Sequence, residues 1–281
     1  MDLNTVEAIV APTDRAALAD FGTGDAWLAG GSALFAEPNP HLRRLFDLTA
    51  FAWPALTRHA GGDLEIAATC TLAELSRIAV PADAPALGLA LRCCQSLRGS
   101  FKVWNVGTVG GNICAALPAG PMTSLTAGLD GRCTIWSADG AERQVTVPEL
   151  VVGDGRTSLC AGELLRSITL PAHALAARAT MRQASLLPLG RSAALLIGRI
   201  DPDGTFHLTI TASTPSAVQL RFADGLPSAA DLVDAIDASL APTDYFDDLH
   251  GTPAWRRHLT RTLAVEIRDE LAAGAPDGAP S

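Results

Sequence analysis

The segment from Val103 to Leu129 contains no charged side chain, yet it holds Gly107, Gly110, Gly111, Gly120, Gly128, Pro118 and Pro121. It is long enough for a bilayer-crossing helix, which takes ~20 apolar residues. Its density of glycine and proline argues against that, because both residues interrupt a helix. The segment instead predicts a buried loop leading into a helix. A neutral, buried, glycine-rich loop implies that its backbone, rather than its side chains, must come close to something.

The rest of the chain narrows what that partner can be. A length of 281 residues exceeds one typical domain and predicts two or three packed subdomains. A hydrophobic fraction of 48% against 18% charged residues describes a chain able to bury a core. The net charge of −9 repels a phosphate polymer at long range, so nucleic acid is not an expected partner. Asp2 and Glu7 stand where a signal peptide needs a basic segment, which predicts a cytoplasmic protein with no membrane association.

The six cysteines, Cys70, Cys93, Cys94, Cys114, Cys133 and Cys160, include no CxxC pair, and the histidines form no HxxxH or HExxH motif. No metal site is therefore expected. The cysteines read as small apolar core residues, with Cys114 set apart because it lies beside the glycine loop.

Local patterns outline the organisation. A helix-like segment begins near Thr13, and Asp25–Leu28 reads as a strand running into Gly30-Gly31. Leu64–Cys70 reads as a strand, Thr71 and Glu74 as a capping box, and Ala84–Leu97 and Met122–Leu129 as helices. Cys133–Trp136 and Gln144–Val147 flank an Asp139-Gly140 turn, and Ala194–Ile197 and Phe206–Ile210 flank Asp201–Gly204, both hairpin signals. An alanine-rich connector at 171–177 marks a domain boundary. Leu259, Leu263, Ile267 and Leu271 give a terminal helix one packing face, beside which Arg256 and Arg257 read as solvated. Residues 272–281 read as frayed.

Two loops carry the chemistry: Leu28-Ala29-Gly30-Gly31-Ser32-Ala33-Leu34 after a strand, and Gly107-Thr108-Val109-Gly110-Gly111-Asn112 before Ile113. A dinucleotide pyrophosphate can be neutralised by lysine or arginine, or surrounded by peptide N–H groups. Glycine permits the second solution by letting the main chain approach the anion. Ser32, Thr108 and Asn112 add short hydrogen-bonding side chains. Neither loop has a lysine, and GxxxxGK[ST] and GxGxxG are both absent, so the two commonest nucleotide motifs do not apply. Either double glycine alone reads first as a tight turn.

The longer match is more specific. SFKVWNVGTVGGNICAALPAG, followed after a hairpin by VVGDGRTSLCAGELLRSITLP, resembles the FAD-binding subunit of the xanthine dehydrogenase and carbon monoxide dehydrogenase family of molybdenum hydroxylases. That family pairs an AGG[TQ] loop with a GT[LV]GGN loop and a later GELL segment, and the resemblance covers nearly the whole chain. It implies an α+β chain: a two-subdomain FAD-binding fold of the p-cresol methylhydroxylase-like type, then a smaller α+β domain with an antiparallel sheet. The expected limits are 1–172, divided near residue 52, and 173–281.

By resemblance the cofactor is FAD, held by Leu28 to Leu34 and by Gly107, Thr108, Gly111, Asn112 and Ala115. Leu159 matches an apolar residue near the flavin ring, and Arg182 takes the place of a lysine that approaches it. Pro121 stands where relatives carry an aspartate. Cys114 reads first as a packing thiol and second as a neighbour of the ring. No catalytic acid or base is expected on this chain. The implied partners are a molybdenum-pterin large subunit and a 2Fe-2S small subunit, in a heterotrimer that can itself dimerise. This subunit would relay electrons to an external acceptor. Two other readings stay open: a stand-alone flavin oxidase, for which the single tyrosine, Tyr245, is thin support, and a scaffold that has lost FAD.

Overall fold

The strands form three principal sheets in a computed structural model describing residues 3–36 and 38–274. β1 (Ala8–Val10), β2 (Asp25–Leu28) and β3 (Arg44–Asp47) form a short parallel sheet in the order β1-β3-β2. β4 (Leu56–Arg58), β5 (Leu64–Ala67), β6 (Arg132–Trp136), β7 (Glu142–Thr146) and β10 (Leu164–Leu170) form an antiparallel sheet in the order β4-β5-β10-β6-β7. Between β7 and β10 the chain makes a two-stranded ribbon, β8 (Val151–Gly153) with β9 (Arg156–Thr157). β11 (Arg178–Ala184), β12 (Ala194–Ile200), β13 (Phe206–Thr211) and β14 (Val218–Phe222) follow as an antiparallel meander. The α+β class expected from sequence is what forms.

Short helices fill the space between sheets: α1 (Leu72–Leu75), α2 (Leu89–Ser96), α3 (Phe101–Val106), α4 (Val109–Cys114), α5 (Pro121–Gly128), α6 (Val147–Leu150) and α7 (Ala172–Leu175). α8 (Ala229–Ser239) and α9 (Pro253–Ala273) cover the meander. The capping box forms as expected, with the Thr71 hydroxyl accepting from Glu74 N–H at 3.1 Å and the Glu74 carboxylate accepting from Thr71 N–H at 2.8 Å. Ala84–Leu97 splits into a 3-10 turn at Pro85–Gly88 and α2. The helix near Thr13 is likewise a 3-10 turn, Arg15–Asp20, capped by Asp14.

The charge-free segment, expected as a buried loop leading into a helix at Met122–Leu129, forms the helix as α5, but the part before it is largely helical rather than loop. It becomes α3, α4 and α5, and α3 buries none of its residues. Every residue of α5 is buried, which explains why that stretch is apolar all round. Pro121 is its first residue, where a missing N–H costs nothing.

β12 shows how the meander joins the rest. Ala194 and Leu196 face a core made with Leu232, Ile236, Leu263 and Ile267 of α8 and α9. Leu195 and Ile197 face the opposite way, into the large core that also contains Met122 and Leu125 of α5. Alternation along a strand thus serves two cores at once. The connector at 171–177 is no loose linker, since Ala174 and Leu175 of α7 are fully buried in the large core. α9 stays helical to Ala273, and the rest of the expected frayed tail, residues 275–281, lies outside the described residues.

Two arginines are buried at these junctions, each 1% exposed. Arg256, expected on a solvated face, instead donates to the carbonyls of Ala193 and Ala212 at 2.6 Å and Gly251 at 3.1 Å, and pairs with Asp248. The helical spacing of Leu263 and Ile267 could not show this, because the Ala193 and Ala212 carbonyls come from strand ends distant in sequence, though Gly251 lies in the turn just before the helix. Its neighbour Arg257 is about one-third exposed and pairs with Asp237.

Arg199 donates to Asp201 Oδ1 and to the Gly128 carbonyl, both at 2.7 Å, and pairs with Asp130 beyond the end of α5. Asp130, His173 and Asp201 bring potential ligand atoms within 4.8 Å of one another, and the Arg199 guanidinium, bonded to both carboxylates, supplies the positive charge there. Burial pushes the Asp201 carboxyl up, but hydrogen bonds from His207 and Arg199 outweigh it and hold it at about 2. A carboxyl whose folded value lies below its unfolded one, ~3.9, stabilises the fold fully above that value. The contribution is lost as the pH falls through about 2. Acid titration followed by circular dichroism should therefore show Asp201→Asn less stable than wild type at pH 7, with a shallower loss between about pH 4 and 2. Parallel curves would remove Asp201 from the acid response.

Candidate functional site

The two glycine loops meet. A Cβ on Gly30 would fall 1.5 Å from the carbonyl oxygen of Val106, so only glycine lets the first loop close on the end of α3. Ser32 Oγ lies just over the adjoining Gly107. Leu28 ends β2, Ala29 packs beside Leu18 and Leu48, and the Leu34 carbonyl accepts from the Asn39 side chain.

The loops differ in how their amides are used. Gly107 N–H donates to Val103, Val109 N–H to Cys70, Gly110 N–H to Ala68 and Gly111 N–H to the Thr108 hydroxyl. Thr108 is the N-cap of α4, so most of the expected second loop is helix, tied to the turn after β5. Asn112 Oδ1 accepts from Met122 N–H at 3.0 Å and anchors the start of α5, and Ala115 caps the end of α4. In the first loop the amides of Gly30, Gly31, Ser32, Ala33 and Leu34 donate to no acceptor among the described residues. Consecutive free amides in a glycine turn form a neutral anion nest. The arrangement fits a pyrophosphate held by backbone.

Beside the loops lies a cleft of about 530 Å³, lined by Trp27, Ala29, Gly111, Cys114 and Leu159 among others. Trp27 stacks on Phe21 with ring centroids 3.8 Å apart and donates its indole N–H to the Glu163 carbonyl at 2.8 Å. Arg143 grips both Glu163 oxygens at 2.7 Å, and Cys160 N–H donates to the same carboxylate at 2.8 Å. The Arg143 guanidinium holds the Glu163 carboxyl below its usual range. Glu163 of the GELL segment thus shapes the wall that carries Leu159. Sequence reading quoted the segment but assigned Glu163, Arg143 and Trp27 no part in the site, because their partners are far apart in the chain.

Arg182 sits elsewhere. On β11 it pairs with Glu266 at 3.3 Å and with Glu270, both on α9, and lines a second cavity of about 760 Å³ with Arg92, Trp104 and Gln183. Leu159 and Arg182, both expected beside a flavin ring, therefore line different cavities.

A sequence profile described as the FAD binding domain in molybdopterin dehydrogenase matches residues 16–173. The chain belongs to this family. FAD is accordingly its cofactor, and it is a flavoprotein component of the molybdenum hydroxylases. The fold agrees with three solved structures. Quinoline 2-oxidoreductase from Pseudomonas putida 86 matches with TM-score 0.78 at 20% identity, over 98% of this chain and 99% of that one. Carbon monoxide dehydrogenase from Hydrogenophaga pseudoflava lacking the Mo-pyranopterin moiety gives 0.77 at 20% identity, over 97% and 99%. Reconstituted CO dehydrogenase from Oligotropha carboxidovorans gives 0.80 at 19% identity, over 98% and 100%. No curated protein sequence matches significantly. Among the described residues, no helix of this FAD-binding chain is long and apolar enough to cross a membrane.

The cysteines separate into classes. Cys70, Cys93, Cys94 and Cys133 are buried as expected, and Cys114 is half-buried at the cleft, where burial pushes its thiol up to about 12. Cys160, expected in the core, is exposed, because its amide closes the surface turn on Glu163. A thiol reagent at pH 8 should label one cysteine rapidly, and Cys160→Ser should remove that phase. A fast phase surviving in Cys160→Ser would reveal a second accessible thiol.

Proposed function

We propose that this chain is the FAD-carrying electron-transfer subunit of a cytoplasmic molybdenum hydroxylase complex. It would receive electrons from a 2Fe-2S subunit, itself served by a molybdenum-pterin subunit, and deliver them to an external acceptor. The observation that carries the reading is the run of amides from Gly30 to Leu34 that find no acceptor among the described residues, beside a cleft walled by Gly111. Those amides would surround the pyrophosphate, with Thr108 setting the position of α4 and Leu159 and Cys114 supplying apolar contact. Bound FAD would take up and release the electrons, while the protein supplies binding, orientation and electrostatic tuning.

The stand-alone oxidase reading needs a proton-transfer group near the flavin. Among the described residues, no histidine or tyrosine lines either cavity, and Tyr245 is buried under α8 and α9. Purification with any co-purifying subunits, followed by absorbance and released-cofactor analysis, tests the reading. The expected result is FAD in the extract and flavin bleaching by the organic substrate only when the partner subunits are present. Substrate oxidation by the isolated chain would favour the oxidase, and a colourless folded protein that resists reconstitution would favour the scaffold.

A further inference from the structure

One wall of the first cleft is held mainly by hydrogen bonds rather than by packing. The turn from Leu159 to Glu163 lines the cleft, and none of its residues before Glu163 is buried. Only Leu159 among those four packs against the large core, and only partly. Glu163, 9% exposed, ties the turn together. Its N–H donates to the Cys160 carbonyl at 3.0 Å, its carboxylate accepts from Cys160 N–H at 2.8 Å, and its carbonyl accepts from the Trp27 indole at 2.8 Å. Trp27 belongs to β2, the strand that runs into Gly30 and Gly31.

A single side chain grips both ends of this turn. Arg143 Nε and one Nη donate to the two Glu163 oxygens at 2.7 Å, and the same Nη reaches the Ser158 carbonyl at 3.0 Å. A planar guanidinium fork suits three acceptors so placed, whereas the point charge of a lysine does not. Arg143 stands on β7, the outer strand of its sheet, about one-third exposed, and does not line the cleft itself. The guanidinium also holds the Glu163 carboxyl below its usual range, so the clamp stays charged at neutral pH.

A wall that its ligand must first order weakens binding by the cost of ordering it, and a preformed wall avoids that cost. We propose that Arg143 is a positioning residue for the cofactor, acting through Glu163 and Ser158 to hold the 158–163 turn in its binding shape before FAD arrives. Arg143 itself would touch no part of FAD. The clamp continues through Glu163 to Trp27, and so joins β7 to the strand that leads into the amides of Gly30–Leu34, which find no acceptor among the described residues. The proposal rests on FAD occupying this cleft and adds what fixes the shape of the cleft.

Full-length apoprotein of wild type, Arg143→Met and Arg143→Lys, checked for folding by urea unfolding, would be titrated with FAD. Arg143→Met should weaken FAD by roughly tenfold or more, the equivalent of one wall residue left to be ordered, and Arg143→Lys should recover only part of that loss. Hydrogen exchange adds a readout that a general loss of stability would not give. In apo Arg143→Met the Cys160 and Glu163 amides should exchange about tenfold faster than in wild type, while β5 and β12 keep their rates. Equal FAD affinity in folded Arg143→Met overturns the proposal. So does an apo wild type whose turn amides exchange freely until FAD is added, a result that needs no variant to fold. Alkylation of Cys160, exposed within the turn, checks the site itself: saturating FAD should slow it in wild type. A rate unmoved by saturating FAD would take the cofactor out of this cleft and overturn the reading on which the role of Arg143 rests.

Discussion

Gly111→Val should weaken FAD binding about tenfold or more, equivalent to ~1.4 kcal/mol or above, in a chain that still folds. An added Cβ at Gly111 meets only the Thr108 hydroxyl, at 2.9 Å, and no other atom closely. Gly111 lines the cleft, so with FAD bound there as proposed the valine methyl groups would fill space the cofactor needs. The variant also disturbs the hydroxyl that caps α4, which by itself costs ~1 kcal/mol of stability. Thr108→Ala isolates that cost. Fluorescence titration of the three proteins with FAD separates the effects: the alanine variant should be the mildest, and equal affinities for wild type and Gly111→Val would place the pyrophosphate elsewhere. Gly30→Ala is the contrasting case, because its methyl would strike the Val106 carbonyl and part the loops.

Arg199→Met should cost about 3–5 kcal/mol of folding stability. The loss comes less from the contact removed than from what is left behind. Asp201, 8% exposed, would keep only His207, and the Gly128 carbonyl at the end of α5 would lose its donor. A buried carboxylate without its guanidinium is far costlier than a broken surface pair, worth ~0–1 kcal/mol. Urea unfolding at pH 7 measures the difference. A change below ~1 kcal/mol would mean that the junction between α5 and the meander is solvated in solution. FAD affinity should be unaffected at temperatures where the variant is folded, since Arg199 lines neither cavity.

These two sites show where sequence reading succeeds and where it stops. Turn chemistry was legible because it is decided within a few residues. Gly140 and Gly204 take positive φ, 86° and 89°, at the two hairpin turns expected to need them. The Thr71 and Glu74 pairing and the apolar spacing of α9 are equally local. The family was legible as well, through the resemblance carried by the GTVGGN loop together with the later GELL segment. Arg199 and Arg256 were not legible, because a buried arginine is recognised by partners supplied from other elements. Nor was the position of Arg182, which depends on Glu266 and Glu270 of α9 packing across β11.

The sequence alone determined that this chain carries two glycine-rich backbone segments, neither with a lysine, within a family that binds FAD. It could not determine which segment keeps its amides free, because both contain the same kind of residues. Tertiary structure decided that. The carbonyls of Ala68 and Cys70, delivered by the turn after β5, consume the amides of Gly110 and Val109. Among the described residues, no strand or helix offers acceptors to Gly30–Leu34, so those N–H groups remain for an anion.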